Sequence, residues 1–191
     1  VQATGFKPYD ASKLEHLGYG RSPDVVTNLE LEEMAQRGTI VRPSDGKPVQ
    51  KVAFIQCAGQ RDPEHLPYCS AICCMTSLKQ ALYIVEQNPE AEAYIFYKDM
   101  RTPAQYEDFY KRVQEEPGVF LAKGEVKAVS PDGGKITVEV ADSLLGEDIA
   151  VEVDLVVLAT GMVPNSQPEV PPTQINPETK EEEPVPQGMG G

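Results

Sequence analysis

The stretch Val52-Ala53-Phe54-Ile55-Gln56 decides the fold. Its apolar residues run without alternation, the pattern of a strand covered on both faces. A loop containing Pro63 and Pro67 follows. An apolar stripe of Ile72, Met75, Leu78, Leu82 and Val85 then predicts a helix over residues 69–86, ended by Asn88-Pro89. Ala93-Tyr94-Ile95-Phe96-Tyr97 reads as a second buried strand, with a helix near residues 104–114 and a strand at 119–121. Pro131-Asp132-Gly133-Gly134 is a hairpin turn between strands at 125–129 and 136–140, and residues 149–153 form a third arm. Strand–helix–strand units with such an insertion give an α/β fold: a Rossmann-like, nucleotide-binding-type domain with an antiparallel β excursion.

Outward from this core, a short repeat frames the chain. Ala3-Thr4-Gly5-Phe6-Lys7-Pro8 is matched by Ala159-Thr160-Gly161-Met162-Val163-Pro164, and the second copy follows the apolar run Leu155-Val156-Val157-Leu158. If the copies are equivalent, residues 1–165 lie between two equivalent chain crossings of a larger protein, and the first copy sits at the end of a strand. Residues 1–51 are expected to be a crossover and irregular lead-in, with a short helix near 28–36, and residues 52–165 the Rossmann-like domain. Residues 166–191 carry six prolines and the run Glu181-Glu182-Glu183. So few apolar groups cannot offset the entropy of ordering, so a disordered acidic tail is expected.

The chain has 30 acidic and 17 basic residues, a formal net charge of −13. Such a surface repels phosphate backbones, and no basic stripe interrupts it, so nucleic acid is not an expected partner. No apolar run approaches the roughly 20 residues that cross a bilayer. No basic start leads into an apolar core either. Direct membrane insertion is therefore not expected, and a cytoplasmic location is.

All four cysteines, Cys57, Cys69, Cys73 and Cys74, lie between the end of the first buried strand and the start of the following helix. A helix N-terminus presents free N–H groups and partial positive charge, which favour thiolates and anionic clusters. Four thiolates are the usual complement of a [4Fe–4S] cluster. Neighbouring helical side chains such as Cys73 and Cys74 diverge by about 100°, which suits several irons better than one tetrahedral ion. Three other readings stay open: buried structural thiols, a zinc site of three cysteines with His65, and a redox pair of Cys69 and Cys73. A dinucleotide unit should carry G-x-G-x-x-G after its first strand. Here Cys57-Ala58-Gly59-Gln60-Arg61-Asp62 stands instead, with one glycine. Asp99, after the second strand, could mimic the ribose-binding acid but reads better as a turn residue.

Several of these stretches resemble the A-subunit of heterodisulfide reductase. They are residues 52–61, Tyr68-Cys69-Ser70-Ala71-Ile72-Cys73-Cys74-Met75, Leu78-Lys79-Gln80-Ala81, Tyr94-Ile95-Phe96-Tyr97-Lys98-Asp99-Met100-Arg101 and residues 154–164. Gly18-Tyr19-Gly20 and Arg42-Pro43-Ser44-Asp45-Gly46 match too. The likeness extends equally to the related flavoprotein subunits of the quinone-interacting membrane-bound oxidoreductase complex, and covers about residues 1–165. It implies the nicotinamide-like domain of a thioredoxin-reductase-like flavoprotein, with Cys57, Cys69, Cys73 and Cys74 on one [4Fe–4S] cluster. Thr4, Gly5, Thr160 and Gly161 would pass near FAD, and electrons would be relayed to other subunits of a complex. Tyr68, Lys79 and Arg61 are candidates for tuning the cluster's charge. The family's FAD-binding glycine motif and ferredoxin-type cysteine motifs are absent from this sequence. The resemblance therefore implies a fragment whose FAD is held mainly by other segments, and which is inactive by itself.

Overall fold

The computed structural model describes residues 3–166 and, beyond them, 173–175 and 182–184. In chain order, β1 (Phe6–Pro8) is followed by two short 3-10 turns, β2 (Val25–Thr27) and α1 (Asn28–Gln36). Next come β3 (Lys51–Ala58), α2 (Cys73–Gln87), β4 (Glu92–Tyr97) and α3 (Tyr106–Gln114). β5 (Val119–Asp132), β6 (Lys135–Asp142), β7 (Asp148–Val153), β8 (Leu155–Thr160) and β9 (Met162–Pro164) complete the domain, before β10 (Thr173–Ile175) and β11 (Glu182–Pro184). The expected disordered tail falls mostly on residues outside the described ones. Within it, β10 and β11 pair antiparallel.

A seven-stranded sheet runs in the order β2-β8-β3-β4-β5-β6-β7. The first five strands pair parallel, as strand–helix–strand crossovers require, and the last three pair antiparallel as a meander. The fold is α/β and Rossmann-like, as the apolar strand pattern predicts. Along the central strands, Val52, Phe54, Ile95, Leu155 and Val157 pack in one core with Leu78, Ala81 and Val85 of α2, Leu31 of α1 and Val113 of α3. The alternate residues Ala53, Ile55, Phe96, Val156 and Leu158 are buried as well. Both faces are therefore covered, which is why the sequence shows continuous apolar runs there rather than alternation.

Three differences from the sequence reading have local causes. Val25–Thr27 joins the sheet beside β8. Two valines are too short a run to announce a strand, although the Thr27-x-x-Glu30 capping box that starts α1 is legible: Glu30 N–H donates to Thr27 Oγ1, and Thr27 N–H to the Glu30 carboxylate. The strands expected at 119–121 and 125–129 are one strand, β5, whose first half pairs with β4 and second half with β6. The helix expected from residue 69 starts only at Cys73, because Ala71 has a left-handed backbone, φ 58°.

The chain divides into two compact units, Pro8–Met162 and Val1–Lys7 with Val163–Gly191. The two copies of the repeat form the ribbon of β1 and β9. Its matched residues Phe6-Lys7-Pro8 and Met162-Val163-Pro164 are thus the two paired strands. Tyr9 N–H donates to the Gly161 carbonyl (2.8 Å) and Asn165 N–H to the Gly5 carbonyl (3.2 Å). Among the described residues no helix is long and apolar enough to cross a membrane.

β7 and β8 are separated by Asp154, which is almost fully buried. Its carboxylate accepts from the N–H groups of Gln50 and Lys51 (3.1 Å each) and from Lys135 Nζ (2.7 Å), tying the start of β3 to the hairpin. Burial alone would raise its pKa, but these donors outweigh it and hold the group below the usual carboxylate range. A depressed folded-state pKa adds stability above the unfolded-chain value of about 3.9, and that stability is lost as pH falls toward the folded value. Asp154→Asn should therefore destabilise the domain by about 1–3 kcal/mol at neutral pH. Chemical denaturation across pH should show that gap shrink as the solution is acidified below about pH 4.

Candidate functional site

The site lies at the carboxyl ends of the parallel strands, where nucleotide-binding α/β sheets receive their ligand. β3 delivers Cys57 through an irregularity: its pairing with β8 changes register between Ile55 and Ala58. Cys57 itself sits at φ 57°. A bulge of this kind re-aims a side chain, and a left-handed non-glycine residue costs on the order of 1–3 kcal/mol. The loop beyond is held by Gln60 N–H to Cys57 O (3.0 Å) and Arg61 N–H to Tyr68 O (3.1 Å). Cys69 precedes the left-handed Ala71, whose N–H donates to Cys69 Sγ (3.3 Å). Cys73 and Cys74 open α2, whose N-terminus has no side-chain cap. Its free N–H groups and partial positive charge face the anionic side of any thiolate chemistry there. Cys69 thus lies in the loop and Cys73 at the helix start, rather than both on the helix expected over residues 69–86.

All four thiols are free and fall within one another's electrostatic reach. Burial pushes the Cys57 thiol up, the Arg61 guanidinium partly offsets this, and Cys74 and Cys69 add to the rise. Burial carries Cys73 to about 11, against a lowering hydrogen bond from Gln60. Cys74 is raised by burial and by Cys69, and opposed by the Arg101 backbone N–H. Thiols held up in this way are poor nucleophiles, since the thiolate is the reactive form. Metal ligation displaces such protons, so a gathered set of raised thiols suits a cationic centre. Among the described residues no group of three or more Cys, His, Asp or Glu side chains is placed so as to hold a metal ion. His65 Nδ1 instead lies 2.8 Å from the Tyr9 hydroxyl.

The other sequence candidates divide. Thr160 is buried, its hydroxyl donates to Asn28 Oδ1 (3.1 Å), and its carbonyl lies 3.6 Å from Cys73 Sγ. Gly161 packs so closely on Gln60 that a Cβ there would lie 2.5 Å from Gln60 Cγ. Thr4 and Gly5 belong to the other compact unit, beside Asn165. Asp99 takes Arg61 Nη2 at 2.8 Å, and that ion pair holds its carboxyl below the usual range. Tyr68 donates its hydroxyl to Met162 O (2.9 Å) and Lys79 pairs with Glu32 (2.8 Å), so of the three tuning candidates only Arg61 bears on a thiol.

Gln60 is the site residue that sequence reasoning missed. It is 2% exposed. Its Nε2 donates to Cys73 Sγ (2.9 Å) and to Ala159 O (3.2 Å), and its Oε1 accepts from Ser70 N–H (2.9 Å). The available signal was a glutamine directly after the lone glycine of the strand-to-helix turn.

No family model matches the chain. The chain is 42% identical over 175 residues to the first iron-sulfur A-subunit of CoB–CoM heterodisulfide reductase from Methanopyrus kandleri. It is 41% identical over 171 residues to the A-subunit of H2/formate:CoB-CoM heterodisulfide,ferredoxin reductase from Methanococcus maripaludis. Each alignment covers 85% of this chain and 26% of the relative, so the chain spans about a quarter of their length. Among solved structures, the reduced form of ornithine hydroxylase from Pseudomonas aeruginosa matches with a TM-score of 0.51 at 15% identity. That match covers 85% of this chain and 45% of the hydroxylase, a likeness of fold.

The tight approach at Gly161 yields a direct test. Gly161→Ala should destabilise the domain by about 1–3 kcal/mol, as overpacking of a filled interior does. Urea unfolding would measure it, and an unchanged midpoint would mean that Gln60 is free to move aside.

Proposed function

Because the chain belongs to the heterodisulfide reductase A-subunit family, we propose that it is the part of an oxidoreductase that holds a [4Fe–4S] cluster on Cys57, Cys69, Cys73 and Cys74. FAD would be bound mainly by segments outside this sequence, with Thr4, Gly5, Thr160 and Gly161 near it, and electrons would pass to partner subunits. The observation that carries the reading is that all four cysteines lie on the strand end, loop and helix start where a dinucleotide-binding unit would place a pyrophosphate. Relatives named as iron-sulfur subunits and as A-subunits of reductases agree with it.

When bound, the cluster supplies single electrons at a potential that its surroundings set. The residues of this chain act on its site. The bulge at the end of β3 turns Cys57 toward the start of α2, and Ala71 ends the loop so that Cys73 and Cys74 open the helix. Burial of Cys73 and Cys74 excludes water, and the uncapped helix end with Arg61 offsets negative charge. Cys73 and Cys74, adjacent at the start of α2, diverge by about 100° and so suit a centre that spreads its ligands over several irons.

Anaerobic reconstitution of the chain should give one [4Fe–4S] equivalent and an EPR signal on reduction. Cys57→Ala and Cys73→Ala should each abolish both while the far-ultraviolet circular dichroism persists. Burial of Cys73 and Cys74 also fits purely structural thiols. In that case the variants would lose stability and the wild type would retain no iron. A Cys69–Cys73 disulfide titrating in one two-electron step, again without iron, would instead identify a dithiol oxidoreductase.

A further inference from the structure

We infer that Gln60 is a positioning residue that sets the reduction potential of the centre held by the four cysteines, by donating a side-chain hydrogen bond to Cys73 Sγ. The inference rests on the cluster reading above and adds a determinant that neither the cysteine pattern nor the relatives' names contain.

The direction of the amide is fixed by its partners. The Ala159 carbonyl can only accept and the Ser70 N–H can only donate, so Nε2 lies toward Ala159 and Oε1 toward Ser70. The remaining N–H of Nε2 therefore points at Cys73 Sγ, at 2.9 Å. The side chain has no freedom to turn away. Gly161 packs against its Cγ and Cδ, and its own backbone N–H is tied to the Cys57 carbonyl. Gln60 thus links the end of β3, the loop before α2, the end of β8 and the first residue of α2.

An N–H donated to a ligating sulfur is charge-assisted. One-electron reduction adds one negative charge to the centre and its sulfurs, so the bond favours the reduced form and raises the potential. The electron comes from the flavin or the partner protein proposed above, and the hydrogen bond transfers no atom. The burial of Gln60 and Cys73 keeps this contribution large. A purely structural clamp would stabilise both redox states alike and leave the potential unmoved.

The experiment uses the 191-residue chain, reconstituted anaerobically, with wild type and Gln60→Met compared by EPR-monitored redox titration. Methionine keeps the volume and removes the donor. At a fixed potential the reduced fraction relative to oxidised should fall about tenfold, a 59 mV lowering for a one-electron couple, with iron content unchanged. An unshifted midpoint at equal iron content overturns the inference and leaves the cluster reading standing. A wild type without iron ends both. Should Gln60→Met not fold, the wild type still decides. With 15N in its glutamine side chains, the reduced centre should show 15N hyperfine coupling by pulsed EPR that survives Gln56→Met. Absence of that coupling, or its loss in Gln56→Met, overturns the assignment.

Discussion

The parallel pairing of β3 with β8, and the point at which it fails, is the constraint on which the site depends. The two strands run in register from Val52 with Leu155 to Ile55 with Leu158, then slip before Ala58 meets Thr160. Up to the slip, both strands are apolar and buried. At the slip, Gln56 and Cys57 leave the ladder, and Cys57 takes a backbone conformation that an L-residue adopts only when its surroundings enforce it. The enforcement comes from both sides: β8 is held between β2 and β3, and Gln60 clamps the turn from above. A rigid sheet thus carries a strained end, which is where α/β folds place their chemistry.

Electrostatics bears on the multi-thiol centre proposed at that end. Burial raises the pKa of Cys57, Cys73 and Cys74, and thiolates near one another would repel. Donated hydrogen bonds and positive charge relieve this: Gln60 on Cys73, Arg61 beside Cys57, the uncapped start of α2, and the irons proposed to sit among the sulfurs. Asp99, which in a dinucleotide-binding unit would be free to meet a ribose, is engaged by Arg61 and Lys123.

Away from the cysteines, buried carboxylates hold the irregular segments to the sheet. Asp154 joins the break between β7 and β8 to the start of β3, and Asp24 accepts from Ser44 N–H (2.8 Å) and Ser44 Oγ (2.6 Å). Arg42 reaches Asp24 (3.3 Å) and the Gly134 carbonyl of the hairpin turn (2.8 Å). The Arg42-Pro43-Ser44-Asp45-Gly46 loop is therefore a cross-tie between the lead-in and the meander. A buried carboxylate is tolerated there because each oxygen has a donor.

What the sequence alone determined was whatever depends on neighbours along the chain. Continuous apolar runs identified β3, β4 and β8, the periodic stripe identified α2, and Gly133-Gly134 marked the β5–β6 turn. The clustering of four cysteines in a strand-to-helix loop located the candidate site. Tertiary structure decided what depends on partners far away in sequence. Val25–Thr27 became a strand because β8 offered its edge, and α2 lost its expected first turn because Ala71 takes a left-handed backbone. Gln60 became central because Ala159, Ser70, Cys73 and Gly161 surround it. A lone polar residue in a turn carries no periodicity, and its significance arises only from buried donors and acceptors that the fold assembles around it.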